Sequence, residues 1–362
     1  MKLSVLSIAY PLAPIGPDAA GGSEQILTLL DRQLVRDGHR SVVIACDGSR
    51  AEGTLLKTPL PPAPLDDAAR AAAQARYRET IRFAMRRWDF DLVHMHSLDF
   101  HTYLPPEGPP VLVTLHLPPD WYPAHAFRPS RPHTWLHCVS ASQARNSPPS
   151  AALLPHIDNG VPLEAFEPRV SKRNFALALG RICPEKGFHL ALDAAATAGI
   201  PLLVAGQVFA YREHQQYFDS EIAPRCRAGA DGAGRFIGPV GLVRKRRLLA
   251  AARCLLIPSL VPETSSLVAM EALASGTPVI AFPSGALPEI IEHGHTGFIV
   301  DGPSEMARAI RQVHKIEPAA CRAAARDRFS ADRMIGQYLS LYTRLARSGA
   351  SRTAEATVSR AT

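Results

Sequence analysis

The sequence predicts an α/β protein with two domains, each a parallel β-sheet covered by helices. Short apolar segments typical of buried strands alternate with helical segments along the chain, the pattern of such sheets. The chain has 362 residues, enough for two domains with separate cores. The alternation lapses between Ala165 and Arg173, and we place the domain boundary there.

Each domain is predicted to contain six strands. In the first domain, residues 1–166, we expect strands near Leu3–Ala9, Ser41–Ala45, Asp91–His96, Val111–His116, Trp135–Ser140 and Leu153–Ile157, and helices over Ser23–Asp37 and Asp66–Trp88. In the second domain, residues 167–330, we expect strands near Phe175–Leu179, Pro201–Ala205, Arg235–Ile237, Cys254–Ile257, Pro278–Ala281 and Gly297–Val300. A final helix is predicted over 331–347. The small, polar residues 348–362 are expected to be disordered.

The composition indicates a globular protein without a membrane span. Hydrophobic residues make up 46% of the chain, and no apolar run approaches the ~20 residues that cross a bilayer. We interpret the apolar start as the first strand rather than a signal peptide, because a glycine loop follows at the distance that a βα unit requires. Six scattered cysteines without a Cys-x-x-Cys pair argue against a disulfide framework or a zinc site, and they favour the cytoplasm.

The net charge is +7, and its densest cluster is Arg244–Arg247 on a predicted helix. A solvated helix face is our first interpretation of this cluster. A patch facing anionic lipid headgroups is the alternative, which would place the protein peripherally at the inner membrane surface. Nucleic-acid binding is disfavoured, since no basic and aromatic platform accompanies the charge.

Two carboxylates, Glu263 and Glu271, lie on either side of a predicted helix start, with Ser265 as the expected N-cap. A helix N-terminus offers unpaired N–H groups and the positive end of a dipole, which suit a phosphate. The two acids would repel a phosphate and are better suited to accept hydrogen bonds from hydroxyls. Phosphate together with hydroxyls indicates a sugar nucleotide.

This pair of glutamates resembles the motif of the retaining glycosyltransferases of family 4. The resemblance extends over roughly residues 1–345 and rests on four further pieces: the glycine loop Gly21–Glu24, His116, the turn Asn159–Val161 and the segment Gly180–Gly187. It implies the GT-B fold, in which two Rossmann-like domains face each other across a deep cleft. It also implies that the last helix returns to the first domain.

The resemblance implies a role for each matching residue. Arg181 and Lys186 would clamp the donor diphosphate and, with Glu263 and His116, form the catalytic set. Glu271 would accept hydrogen bonds from the ribose. Donor contacts are further implied for the backbone of Ser266, Leu267 and Val268 and for Gly22, and acceptor-side contacts for Gly21, Gly22, Ser23 and His116.

One segment departs from the family pattern. Thr264–Ser266 stands where a proline, an aromatic residue and a glycine commonly follow the first glutamate. Without the glycine a phosphate has less room for close backbone approach, whereas the serine hydroxyls add donors.

The implied activity is transfer of a hexose from a nucleotide-diphosphate donor, most simply a UDP-sugar, to a hydroxyl acceptor with retention. No cofactor or metal is expected, because Arg181 and Lys186 supply the positive charge. A metal at His94, His96 and His116 is disfavoured, since these histidines lack acidic partners.

Two alternatives remain open: a sugar-nucleotide epimerase of the same fold, which needs no acceptor, and a non-catalytic sugar-nucleotide-binding subunit. The complete charged set argues against the second, because buried charges cost folding energy.

Overall fold

The computed structural model describes residues 2–19, 21–60, 66–166, 170–227 and 234–359, with side chains through residue 348. The chain forms two units. Unit 1 consists of residues 1–158 and 333–362, and unit 2 of residues 159–332. These divisions differ from the sequence boundaries after residues 166 and 330. Val161 exchanges backbone hydrogen bonds with Phe329 and Ala331, and Phe166 packs under a helix of unit 2, so the connecting turn belongs to unit 2.

Unit 1 contains a seven-stranded parallel sheet in the order β3-β2-β1-β4-β5-β6-β7. Its strands are β1 (Ser4–Ile8), β2 (Arg40–Cys46), β3 (Thr54–Thr58), β4 (Leu92–Met95), β5 (Val111–Leu115), β6 (Thr134–Cys138) and β7 (Leu153–Leu154). Its first helices are α1 (Gly22–Arg36), α2 (Asp67–Arg87) and α3 (Ala141–Arg145). The six predicted strands are confirmed. The seventh, β3, was missed, because this half-exposed edge strand has polar residues at its ends and no long apolar run.

Unit 2 contains a six-stranded parallel sheet in the order β10-β9-β8-β11-β12-β13. Its strands, all predicted, are β8 (Ala176–Leu179), β9 (Leu202–Ala205), β10 (Gly234–Phe236), β11 (Cys254–Ile257), β12 (Val279–Ala281) and β13 (Gly297–Ile299). The helices are α4 (Phe188–Ala198), α5 (Arg212–Tyr217), α6 (Ala223–Arg227), α7 (Leu242–Ala251), α8 (Leu267–Ala274), α9 (Leu287–Ile290), α10 (Pro303–Gln312) and α11 (Pro318–Arg328). Within the described ranges, no helix combines the length and hydropathy needed to cross a bilayer.

The last helix, α12 (Ala331–Ser359), continues beyond its predicted end at Arg347. Residues 348–359 contain three alanines, the best helix former, and no proline, the strongest helix breaker. The predicted disordered tail, 348–362, lies almost entirely outside the described side chains, and the backbone of residues 360–362 lies outside the described residues.

In both sheets the order of strands reverses beside the first strand of the unit. β1 lies between β2 and β4, and β8 lies between β9 and β11. In open parallel sheets, ligands bind beyond the carboxyl ends of the strands at such a point. The glycine loop follows β1, Arg181 and Lys186 follow β8, and Glu263 follows β11. The fold therefore places these predicted site residues where their own sheet is open to a ligand.

Two tyrosines of α12 anchor this helix to the sheet of unit 1. The hydroxyl of Tyr342 lies 2.6 Å from Nδ1 of His94, and that of Tyr338 lies 3.3 Å from Oγ1 of Thr114. All four residues are fully buried. The helix is thus held by hydrogen bonds inside an otherwise apolar core.

The hydrogen bonds in this cluster form a chain in which each group donates to the next, from the Tyr342 hydroxyl to the Cys138 carbonyl. Nδ1 of His137 donates to the carbonyl of Cys138, so its Nε2 accepts from the Thr114 hydroxyl at 2.7 Å. Thr114 then accepts from Nε2 of His94 at 2.7 Å, and Nδ1 of His94 accepts from Tyr342. Burial, followed by the charge of a neighbouring histidine, lowers the pKa of His94 well below its usual value, which agrees with this neutral tautomer.

We expect Tyr342→Phe to lower the free energy of unfolding by about 1–3 kcal/mol, because it leaves the buried Nδ1 of His94 without a donor. Urea denaturation measures this change. Tyr338→Phe is the matched control. Thr114 keeps two other partners in that variant, so the loss should stay below about 1 kcal/mol. Equal losses in the two variants would contradict the assigned hydrogen-bond pattern.

Candidate active site

Two loops of unit 2 are joined by an ion pair between Lys186 and Glu263. Lys186 follows β8 and Glu263 follows β11, which are adjacent in the sheet. The distance from Nζ to Oε1 is 2.5 Å, and the hydroxyl of Ser259 donates to the same oxygen. The side chains are 23% and 10% exposed, so the pair is shielded from water yet still reachable by a ligand.

The Glu263 carboxyl is held ionised by its surroundings. Burial alone would raise its pKa, but the charge and hydrogen bond of Lys186, the hydroxyl of Ser259 and the charge of Arg181 together bring the pKa below its usual value. A carboxylate has about four acceptor positions. Glu263 can therefore accept a hydrogen bond from a ligand hydroxyl without releasing Lys186.

Two glycines let the backbone pack closely around this pair. Gly285, at φ +60°, lies so near Glu263 that a Cβ atom would come within 2.2 Å of the Glu263 carbonyl oxygen. The next residue, Ala286, donates its N–H to that carbonyl at 2.7 Å. Gly187, at φ +62°, lies equally close to the carbonyl of Pro258, where a Cβ would come within 2.3 Å. The loops after β8, β11 and β12 consequently meet at Glu263.

The N-terminus of α8 lies four residues after Glu263. Its N-cap is Ser266, so the expectation that Ser265 caps the helix is wrong. The helix begins one residue later, and no side chain caps it. Leu267 and Val268 occupy the first two helical positions, whose N–H groups have no acceptor within the helix. The Ser265 hydroxyl is buried and makes no hydrogen bond, so another donor points into this region.

Glu271, inside α8, is paired with Lys245 of α7. Nζ of Lys245 lies 2.6 Å from Oε1 of Glu271, and the side chains are 13% and 4% exposed. The ammonium also lies 5.5 Å from the centre of the Phe166 ring. Burial raises the pKa of Glu271, and the charge of Lys245 opposes that rise.

Lys245 was not recognised as a site residue from the sequence, which grouped it with a solvated basic cluster. Arg244 and Arg247 are exposed as expected, but Lys245 turns inward. Its position four residues before the buried Leu249 was an available signal, because residues four apart share a helix face. The sequence also gave no indication of Ser259, whose hydroxyl donates to Glu263.

In unit 1, the glycine loop opens α1. Gly21 is the N-cap, and the helix begins at Gly22, one residue before its predicted start at Ser23. A Cβ at Gly21 would come within 1.9 Å of Oε2 of Glu24, whose side chain folds back over the helix start. Gly22 is exposed at the first helical position.

His116 follows β5 directly and stacks on His96 at the end of β4. The ring centres are 5.3 Å apart, and Nε2 of His116 lies 3.0 Å from Nδ1 of His96. Burial, followed by the charge of His137, lowers the pKa of His116 to about 3, so the ring is neutral at physiological pH. Nε2 of His96 is buried without a hydrogen-bond partner.

Comparison with protein families gives two matches along the chain. The model described as Glycosyltransferase Family 4 matches residues 20–147, and the model described as Glycosyl transferases group 1 matches residues 163–328. These segments contain the glycine loop and His116 in the first case, and both glutamates and both cations in the second.

Among curated proteins, the chain is similar to D-inositol 3-phosphate glycosyltransferases. The one from Nocardioides sp. is 41% identical over 93 residues, which is 24% of this chain and 20% of that protein. The one from Mycolicibacterium smegmatis is 32% identical over 172 residues, which is 46% of this chain and 39% of that protein. The chain thus matches about a fifth of the length of the first relative and about two fifths of the second.

Solved glycosyltransferases share the fold over nearly the whole chain. AviGT4, a glycosyltransferase involved in avilamycin A biosynthesis, is 25% identical with a TM-score of 0.72, covering 95% of this chain and 98% of its own. HepE from Anabaena, solved with UDP and glucose, is 19% identical with a TM-score of 0.73, covering 94% and 99%.

We expect Lys245→Met to destabilise unit 2 by about 3–5 kcal/mol, because Glu271 would be left as a buried charge without its partner. Lys245→Met/Glu271→Gln should recover most of this loss, since replacing a whole buried pair is often nearly neutral. Arg247→Met, on the exposed face of the same helix, is the control and should stay within about 0.5 kcal/mol of the parent. Urea denaturation measures all three variants. A single variant as stable as the control would show that the pair is not maintained in solution.

Proposed function

Because the chain belongs to the family-4 glycosyltransferases and has the GT-B fold, we propose that it transfers a hexose from a UDP-sugar to a hydroxyl acceptor with retention of configuration. The observation that carries this proposal is the partly buried Lys186–Glu263 pair, in which Glu263 lies four residues before the uncapped N-terminus of α8. This region of unit 2 places cations and backbone amides, which suit a diphosphate, beside carboxylates, which suit hydroxyl groups. HepE, solved with UDP and glucose, supports the choice of donor.

The proposed role of Arg181 and Lys186 is to stabilise the departing diphosphate. The diphosphate gains negative charge as the glycosidic bond breaks, so cations already in place lower the barrier more than they strengthen donor binding. Lys186 has three N–H donors, and its bond to Glu263 uses one of them. The exposed Arg181 adds a planar fork suited to phosphate oxygens. No divalent cation is needed at the diphosphate in this scheme.

Glu271 is proposed to accept hydrogen bonds from the ribose hydroxyls of the donor. Lys245 occupies one oxygen of this buried carboxylate and favours its ionised, accepting form. About three acceptor positions remain, enough for two hydroxyls. Lys245 is therefore a positioning residue that need not leave when donor binds.

The transfer step needs no covalent nucleophile from the protein. We propose that the acceptor hydroxyl attacks the anomeric carbon from the side of the leaving diphosphate, whose oxygen takes the acceptor proton. Glu263 would orient the donor sugar. On the acceptor side, a neutral His116 would donate to or accept from a sugar hydroxyl, and the loop Gly21–Ser23 would offer backbone N–H groups.

We place the protein in the cytoplasm, where its six described, unpaired cysteines are compatible with reducing conditions. Peripheral contact with an anionic membrane is a further part of the proposal, supported by the exposed Arg244 and Arg247 on α7. Co-sedimentation with phosphatidylserine vesicles at low salt, lost as salt is added, is the expected result. Equal recovery in the supernatant with neutral and anionic vesicles would reject the contact.

The direct test of the donor is a thermal-shift screen of nucleotide sugars. A ligand that binds only the folded protein stabilises it by about 2.7 kcal/mol at 100-fold its dissociation constant. We expect UDP-sugars to raise the melting temperature more than GDP-sugars do.

Product analysis with the bound donor then separates the alternatives. Conversion of the donor to its epimer without acceptor indicates an epimerase, and binding without turnover under all acceptors indicates a non-catalytic subunit.

Enzyme kinetics separate the cations from Glu271. Lys186→Ala and Arg181→Ala should each lower kcat about 10- to 150-fold, the equivalent of a charged hydrogen bond worth about 1.5–3 kcal/mol in the transition state. Lys245→Met/Glu271→Gln should instead raise KM for the donor and nearly keep kcat, since ribose contacts are the same in the ground and transition states.

Arg253→Ala is the matched control for these measurements, because its guanidinium bonds Asn174 at the opposite end of β11. It should leave both constants unchanged. Unfolding curves of each variant exclude a folding defect. The reverse pattern, in which the cation variants change only KM and the double variant lowers kcat, would overturn the assigned roles.

A further inference from the structure

Three side chains of different chemistry converge beside the loop that carries Lys186. Cys183 and Glu185 lie in the segment after β8, and His214 lies in α5. The Cys183 sulfur, a Glu185 carboxylate oxygen and a His214 ring nitrogen all lie within 4.8 Å of one another. The charge-clamp roles proposed above do not use any of the three.

Two of these atoms are buried without a partner. Oε2 of Glu185 and Nδ1 of His214 are shielded from solvent and make no hydrogen bond. Cys183 is 1% exposed, and its sulfur contacts the carbonyl oxygen of Arg181 at 3.7 Å and the carboxyl group of Glu185. A buried polar atom without a partner costs about 1–3 kcal/mol. The convergence of two such atoms on one thiol therefore calls for a ligand that binds all three.

We propose that Cys183, Glu185 and His214 bind a zinc ion, with water as the fourth ligand. Thiolate, imidazole and carboxylate are the three side-chain ligands of protein zinc sites, and three of them with one water complete a tetrahedron. The sulfur excludes magnesium and calcium, which take oxygen ligands. Small side-chain rotations suffice to bring atoms already within 4.8 Å around one ion.

The ion would brace the loop of the charge clamp. Glu185 directly precedes Lys186, and its backbone carbonyl accepts from the N–H of Leu260 in the loop after β11 at 2.8 Å. Binding would tie this segment to α5 as well, from the other side. The zinc does not touch the donor in this proposal, and no step of the transfer runs through it. The proposed zinc site is separate from the diphosphate, where no metal is proposed, and it revises the expectation from the scattered cysteines that the chain has no zinc site.

Elemental analysis and cobalt spectroscopy test the site without any assay of activity. The full chain, stripped of metal and dialysed against zinc, should retain one zinc per chain and melt at a higher temperature. Cobalt(II) in its place should show the intense visible bands of a tetrahedral site and a thiolate-to-cobalt charge-transfer band. Cys183→Ser should abolish the charge-transfer band. Glu185→Gln and His214→Gln should each weaken zinc binding about tenfold or more, because even residues that only support a metal ligand contribute about tenfold to affinity.

Cys226→Ser and His189→Gln are the matched controls, since both residues are half-buried in unit 2 and lie outside the cluster. They should bind zinc and cobalt as the parent does. Retention of less than a tenth of an equivalent of zinc, or a charge-transfer band that survives Cys183→Ser, would overturn the proposal. If Cys183→Ser does not fold, His214→Gln on the short helix α5 provides the test instead. Unchanged zinc affinity in that variant would also overturn the proposal. Failure of the UDP-sugar screen would leave these metal measurements unaffected.

Discussion

Two buried carboxylates, each held by its own lysine, determine how the loops of unit 2 are arranged. A buried acid without a cation would lose its charge or destabilise the fold. Lys186 meets this requirement for Glu263, and Lys245 meets it for Glu271. Each pair links two segments that are distant in sequence: the first joins the loops after β8 and β11, and the second joins α7 to α8. The charges that serve the proposed chemistry are therefore also the ones that hold the site together.

The fold could be predicted from the sequence because parallel strands are buried on both faces and read as short apolar runs. This signal identified twelve of the thirteen strands in the described part of the chain, and it failed for β3, a half-exposed edge strand. Helix ends were less predictable. Ser265 and Ser23 have the right side chains for N-caps, yet α8 and α1 begin at the residue after Ser266 and after Gly21. Tertiary contacts determine which of several neighbouring residues becomes the N-cap, and a local sequence pattern does not contain these contacts.

The candidate site was predictable only where its residues form a compact motif. Arg181, Lys186, Glu263 and Glu271 belong to two short segments, and their order along the chain indicates a shared role. Lys245 is separated from Glu271 by a whole strand and looks like one more charge in a basic run. Partners of this kind are defined by the packing of one helix on another. The sequence shows the face on which such a residue lies, but not what that face meets.

The buried hydrogen-bond cluster of unit 1 is uncharged, whereas the site of unit 2 is built from ion pairs. Burial lowers the pKa of four imidazoles here, so each of them is neutral: His94, His96, His116 and His137. His116 stands at the end of β5 against this uncharged background. In the proposed function, His116 therefore contacts the acceptor as a neutral hydrogen-bonding group, which responds to the direction of a hydroxyl and not to the charge of an ion. On that proposal, an uncharged hydroxyl would bind beside His116 without the desolvation cost that an ion pays.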